Sequence, residues 1–183
     1  HMSQLSDELR NSMSMITRDL RRANYSASGI FCYGNSQCGA SGNIAEQAGD
    51  VLIAGECISY TLDRNSDGNA ANDAVGGFRR RDAGGIGVIE MYTGSSYTPC
   101  DENTGWFQLT DPVIVNVSAF ENDDSASVTR VIPENETTIF TNRQRQITLA
   151  LEGQVVLEQE AGIDMVNRRI EDVIFVRNDY IVL

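Results

Sequence analysis

The stretch SQLSDELRNSMSMITRDLRRANYSA, Ser3 to Ala27, decides how the rest of the chain is read. Leu5, Leu9, Met13, Ile16 and Leu20 follow one another at steps of 4, 4, 3 and 4 residues. That spacing places them on one face of a helix, because 3.6 residues complete a turn. Arg10, Arg18, Asp19 and Arg22 fall off the stripe. The pattern predicts a helix over Ser3–Asn24, with the five apolar residues as its packing face. Its first turn carries no convincing capping residue, so the native helix is expected to begin further upstream.

One helix cannot bury its own apolar face, so the partner must come from later in the chain. Residues 25–50 are rich in Ser, Gly, Asn and Ala and read as an irregular region pinned by a disulfide. Strand signals recur from Asp50 onward. VLIAGECISYTLD, GFRRR, GIGVIEMYT and WFQLT are rich in β-branched or aromatic residues. DPVIVNVSAFEND alternates Val113, Val115, Val117 and Ala119 on one face. TRVIP, RQITLALEG, QVVLEQEAG and EDVIFVRNDYIVL follow, and MVNRRIED reads as a turn or short strand. The expected fold class is α+β: an amphipathic N-terminal helix packed on an antiparallel β-sheet with disulfide-pinned loops. The expected organisation is residues 1–2 as the remnant of an expression tag, 3–24 as the helix, and 25–183 as a β-rich globular head.

Composition narrows the function. At 183 residues and 41% hydrophobic content, one well-cored domain is expected. The net charge of −12 argues against nucleic acid, whose phosphates would be repelled, and against charge-driven binding to an anionic membrane. The one histidine is His1, in the tag remnant. Setting it aside removes the usual general base, the commonest zinc ligand and every Ser-His or Cys-His nucleophile pair. No run approaches the ~18 apolar residues of a membrane span.

The cysteines are Cys32, Cys38, Cys57 and Cys100, at spacings of six, nineteen and forty-three. These fit no common zinc pattern, and two disulfides in an oxidising compartment are expected. Three connectivities are open. The pairing 32–38 and 57–100 is favoured, since the second bridge would staple two distant segments. Four buried free thiols are the alternative.

The loop after Cys57 carries oxygen donors at Asp63, Asn65, Asp67, Asn69 and Asp73. The first three, with Gly68, match the opening of an EF-hand calcium loop. The twelfth position, which should close the site with a carboxylate, is Ala74, and strands flank the loop. A polar hairpin tip is the competing reading. Calcium is therefore the one cofactor considered, and none is required.

Other motifs favour structure over chemistry. Gly84-Gly85-Ile86-Gly87 lacks the GxGxxG spacing and reads as a tight turn or bulge. Trp106 and Phe107 are expected in the core, packed against a disulfide. Glu158 with Glu160, or Asp123 with Asp124, are carboxylate pairs that nothing selects for acid–base work. Asn116-Val-Ser and Asn135-Glu-Thr match the glycosylation pattern by coincidence. The Arg18–Ala23 segment RDLRRA is either a solvated helix end, where cations suit the dipole, or a subunit-facing surface.

Three segments in order carry a resemblance. They are RDLRRANYSA (18–27); CISYTLDRNSDG (57–68) followed by GFRRR and GGIGVIEMY; and RQRQITLALEG (143–153) with NRRIEDVIFVRND (167–179). A Cys100…Trp106…LTDP element, ending at Pro112, lies between the last two. The chain resembles the PilW-like minor pilins of type IV pili and, more distantly, the J-type minor pseudopilins of type II secretion. The resemblance covers about Asp7 to Asp179.

It implies a pilin fold whose helix would continue upstream into a membrane-spanning half. About 20 apolar residues are expected before Ser3. It also implies a non-catalytic subunit that helps initiate or assemble a pilus at or near the tip. The implied partners are other minor pilins, the major pilin and a tip adhesin. The implied location is the periplasmic side of the inner membrane before assembly and the cell-surface filament afterwards. A type II secretion pseudopilin and a calcium-dependent adhesion or binding module are the alternatives.

Overall fold

Helix α1 spans Met2–Leu20, and Leu5, Leu9, Met13, Ile16 and Leu20 are all buried in it, joined by Ser12 and Thr17. The computed structural model describes residues 2–25, 50–63, 66, 74–96, 98–133, 139–156, 166–178 and 180–182. The helix stops at Leu20, short of the expected Asn24. Its last carbonyls are taken by tighter bonds, Arg22 N to Asp19 O (3.0 Å) and Ala23 N to Leu20 O (3.1 Å). Asn24 then turns into the left-handed region at φ 61°, a conformation asparagine tolerates better than most residues.

The first sheet is an antiparallel meander of five strands: β1 (Leu52–Ala54), β2 (Cys57–Leu62), β3 (Ala74–Asp82), β4 (Gly87–Tyr92) and β5 (Trp106–Gln108). All of β2 is buried, on both faces. Ile58, Tyr60 and Leu62 join the helix in the core, while Cys57 is bonded to Cys100 in the 3-10 turn Pro99–Asp101. The Gly84-Gly85 stretch makes the β3–β4 turn at φ 70° and 92°, closed by Ala83 N to Ile86 O at 2.8 Å.

The remaining strands are β6 (Val115–Asp123), β7 (Val128–Pro133), β8 (Ile139–Gln144), β9 (Gln146–Val155), β10 (Asn167–Phe175) and β11 (Tyr180–Val182). They form two antiparallel three-stranded sheets, β10-β9-β6 and β11-β8-β7. Consecutive strands connect the two sheets, so together they make one ribbon broken at a single level. The break falls at residues 124–127, at Arg145 and at 176–178. MVNRRIED thus belongs largely to a full strand, β10, paired along its length with β9.

Helix α1 lies against β9 and β10. Its apolar face shares one core with Ile147, Leu149, Leu151 and Ile174 from the ribbon and Ile58, Phe78 and Ile89 from the meander. Each large side chain so buried contributes on the order of 1.5–3 kcal/mol. Polar bonds lock the meander to β6. Arg80 Nε donates to Val117 O (2.6 Å), Gly87 N donates to Asn116 Oδ1 (2.8 Å), and Asn122 Nδ2 donates to Gly55 O (3.1 Å). A Cβ on Gly87 would sit 1.9 Å from Val117 O, so this crossing tolerates no side chain.

Candidate functional site

With no histidine among the described residues, the chemistry on offer is arginine against carboxylate, and three such groups organise the molecule. The first ties the helix end to the ribbon's corner. Arg145 Nε and Nη2 donate to the two Asp50 oxygens at 3.2 and 2.8 Å, and Nη2 also reaches Val51 O at 3.1 Å. Its Nη1 pairs with Asp124. Arg143 adds a bond to Asp50 at 3.0 Å. Asn24, in its left-handed turn, donates to Asp50 at 3.4 Å, and Asn178 Nδ2 donates to Ala23 O at 3.0 Å. The side chains of Arg145 and Asp50 are 11% and 8% exposed, so this is a buried pair in a low-dielectric setting.

The second group covers the outer face of the meander. Glu90 accepts from Arg79 Nε at 2.8 Å and Arg81 Nε at 2.7 Å. The Arg79 guanidinium stacks 4.1 Å over Trp106, and Trp106 leans on Tyr92 at 5.1 Å between ring centres. Arg79 Nη1 and Trp106 Nε1 both donate to Glu102 O at 3.0 Å. The loop carrying Cys100 is thereby held on the sheet by a bridge, a cation–π contact and shared carbonyl bonds.

The LTDP element finishes this layer. Buried Thr110 accepts from Ile89 N (3.0 Å), and Asp111 Oδ1 caps Val113 N (2.8 Å) at the turn into β6. Trp106 and Phe107 separate here. Trp106 is half-buried, but Phe107 is 59% exposed, against the expectation that both are core. Neighbours on a strand face opposite ways, and β5 is the last strand of its sheet, so the face opposite Trp106 lies open.

The third group crosses the outer face of the ribbon. Arg169 on β10 bonds both oxygens of Glu121 on β6, at 3.0 and 2.6 Å, crossing β9 diagonally from the level of Glu152 to that of Ala150. That bond holds the Glu121 carboxyl below its ordinary 4.5, and raises the Arg169 value. The Ser125 backbone N–H likewise holds Asp123 below its ordinary 3.8. Both carboxylates have depressed folded values, so their contribution is present above the unfolded values and lost as pH falls through the folded ones. Replacing Arg169 with Met is expected to flatten the loss of stability below about pH 4.5. Equal urea midpoints for parent and variant at every acidic pH would contradict this.

Cys57 and Cys100 are bonded, their Cα atoms 5.9 Å apart. Cys32 and Cys38 lie outside the described residues. So do Asn65, Asp67, Asn69 and Asp73 of the proposed calcium loop, and Glu158, Glu160 and Asn135. Asp63 is buried at the end of β2, 1% exposed, with its backbone N–H on Tyr25 O at 2.8 Å. Among the described residues, no three His, Cys, Asp or Glu side chains gather as a metal cluster. Asp123 and Asp124 point to separate partners, Ser125 and Arg145. Asn116 of the first glycosylation pattern is engaged by Gly87 N. In the RDLRRA segment, Arg18 pairs with Asp19 (3.1 Å), Tyr60 Oη donates to Asp19 (3.0 Å), and Arg21 reaches Asp172 (3.8 Å).

The Asp50–Arg145 hub was absent from the sequence reading. Its members are 95 residues apart, and no local pattern marks them.

A helix laid by one apolar face along an antiparallel β-head, with a disulfide-held loop over the outer sheet, is the arrangement of a pilin-type protein. The family model described as prepilin peptidase-dependent protein B matches residues 1–174, and the chain belongs to that family. No curated protein and no solved structure gives a significant match. No helix among the described residues is long and apolar enough to cross a membrane.

Proposed function

We propose that this protein is a minor subunit of a type IV pilus that helps start filament assembly at or near the tip. Membership of the prepilin peptidase-dependent family carries this reading. The packed N-terminal helix supports it, since such a helix presents one face to its own head and leaves the other for neighbours. The role is one of surface complementarity and needs no cofactor and no catalytic residue. The partners would be the major pilin and other minor pilins. The protein would sit in the inner membrane facing the periplasm before assembly and in the filament afterwards.

Deleting the gene tests the proposal. Surface filaments counted by electron microscopy are expected to fall sharply and to return on complementation. Full piliation together with loss of secreted enzymes would instead place the protein in a type II secretion pseudopilus.

A further inference from the structure

We propose that the seam between α1 and β10 is where an acidic face of another pilin-type subunit docks. The inference rests on the assembly reading above and names the partner's chemistry. Every cation in the chain is an arginine: the sequence has 14 Lys+Arg and contains no lysine, against 26 acids. Arginine suits this use because its planar fork binds carboxylates two bonds at a time. Arg79, Arg80, Arg81, Arg143, Arg145 and Arg169 already hold carboxylates within the molecule. Among the described residues, Arg10, Arg22, Arg130, Arg168 and Arg177 have no ion pair, and all five are exposed.

Arg130 stands apart on β7, and the other four gather on one side. Arg168 stands opposite Gly153 in the β10–β9 register, and a Cβ on Gly153 would lie 3.3 Å from Leu9 Cδ2. Arg168 is therefore level with the turn of α1 that carries Arg10. At the other end of the seam, Arg177 N reaches Arg21 O at 3.3 Å, which brings Arg177 beside Arg22. Among the described residues, the nearby acids do not cancel them. Asp172 is engaged by Arg21, leaving Asp7 as the exposed acid on the helix. Arginine is enriched at protein interfaces and among the residues that carry most of their binding energy. On a chain of net charge −12, a basic strip selects an acidic partner and a single docking orientation.

The test places a photo-crosslinking residue at Arg168 of the full-length chain in producing cells. A control crosslinker replaces Asp82 at the β3–β4 turn. The expected product at position 168 joins an acid-rich peptide of another pilin-type chain. Its yield should fall roughly tenfold when Arg10, Arg22 and Arg177 are changed to Glu. These positions are exposed, so an unchanged thermal midpoint verifies the fold of the variant.

A product unaffected by the charge reversals would overturn the proposal, as would a product only with the chain's own peptides. Charge-dependent binding of the purified head to phosphatidylglycerol vesicles, with no protein product at 168, would overturn it in favour of a lipid surface. A pilin-type product at 82 but none at 168 would overturn the seam and leave the assembly reading intact. No pilin-type product at either position would overturn both.

Discussion

Changing Arg145 to Ala is expected to lower the unfolding free energy by about 3–5 kcal/mol, the usual cost of stripping one partner from a buried ion pair. Asp50, 8% exposed, would keep only the more exposed Arg143, its own neighbour's Val51 N–H at 2.8 Å and the long Asn24 bond. Val51 O and Asp124 would lose a donor at the same time. The loss falls where the three ribbon strands break and where the helix end meets the head, so it should loosen both. Removing both charges while keeping shape, with Asp50→Asn and Arg145→Met, is expected to cost less than Arg145→Ala alone, because no carboxylate is left stranded. Urea unfolding followed by circular dichroism measures both. A variant within about 0.5 kcal/mol of the parent would show that the hub is ornamental to stability.

The second large effect is on the Cys57–Cys100 bridge. The bond closes a loop of 43 residues, and constraining a loop of that length in the unfolded chain is worth roughly 4 kcal/mol in the chain-entropy account. Changing both cysteines to Ala is expected to lose most of that. The native state should also change locally. The loop over the outer face would retain Arg79 and Trp106 bonded to Glu102 O, and Ser96 N bonded to Tyr92 Oη, but no covalent tie to β2. Trp106 is the only tryptophan, so its fluorescence reports on this loop alone. A red-shifted emission before global unfolding is expected in the variant. Identical midpoints and emission for both proteins would contradict the account of the loop.

The helix was legible in the sequence because its signal is local: five apolar residues at helical spacing declare a face whatever lies opposite. The strands were legible for the same reason, from β-branched and aromatic runs. Their grouping was not. One sheet was expected, and the chain forms a five-stranded meander and a ribbon broken at Arg145. That break is set by Asp50, Asp124 and the helix end, groups distant in sequence, so no window of residues contains it. Phe107 shows the same limit at smaller scale. Composition marked it as core, but the end of a sheet left its face uncovered. The functional class came from the order of weak motifs along the chain and not from any reactive residue, and the family match over residues 1–174 supports it at the level of a pilin-type protein.

The most direct test of the central claim, that this is a pilin-type subunit, compares the full-length gene product in cells with and without prepilin peptidase. The account predicts a larger, membrane-retained precursor in the peptidase mutant. In the parent it predicts a shorter form that also appears in filaments sheared from the surface. A product of the same size and the same location in both strains would contradict it.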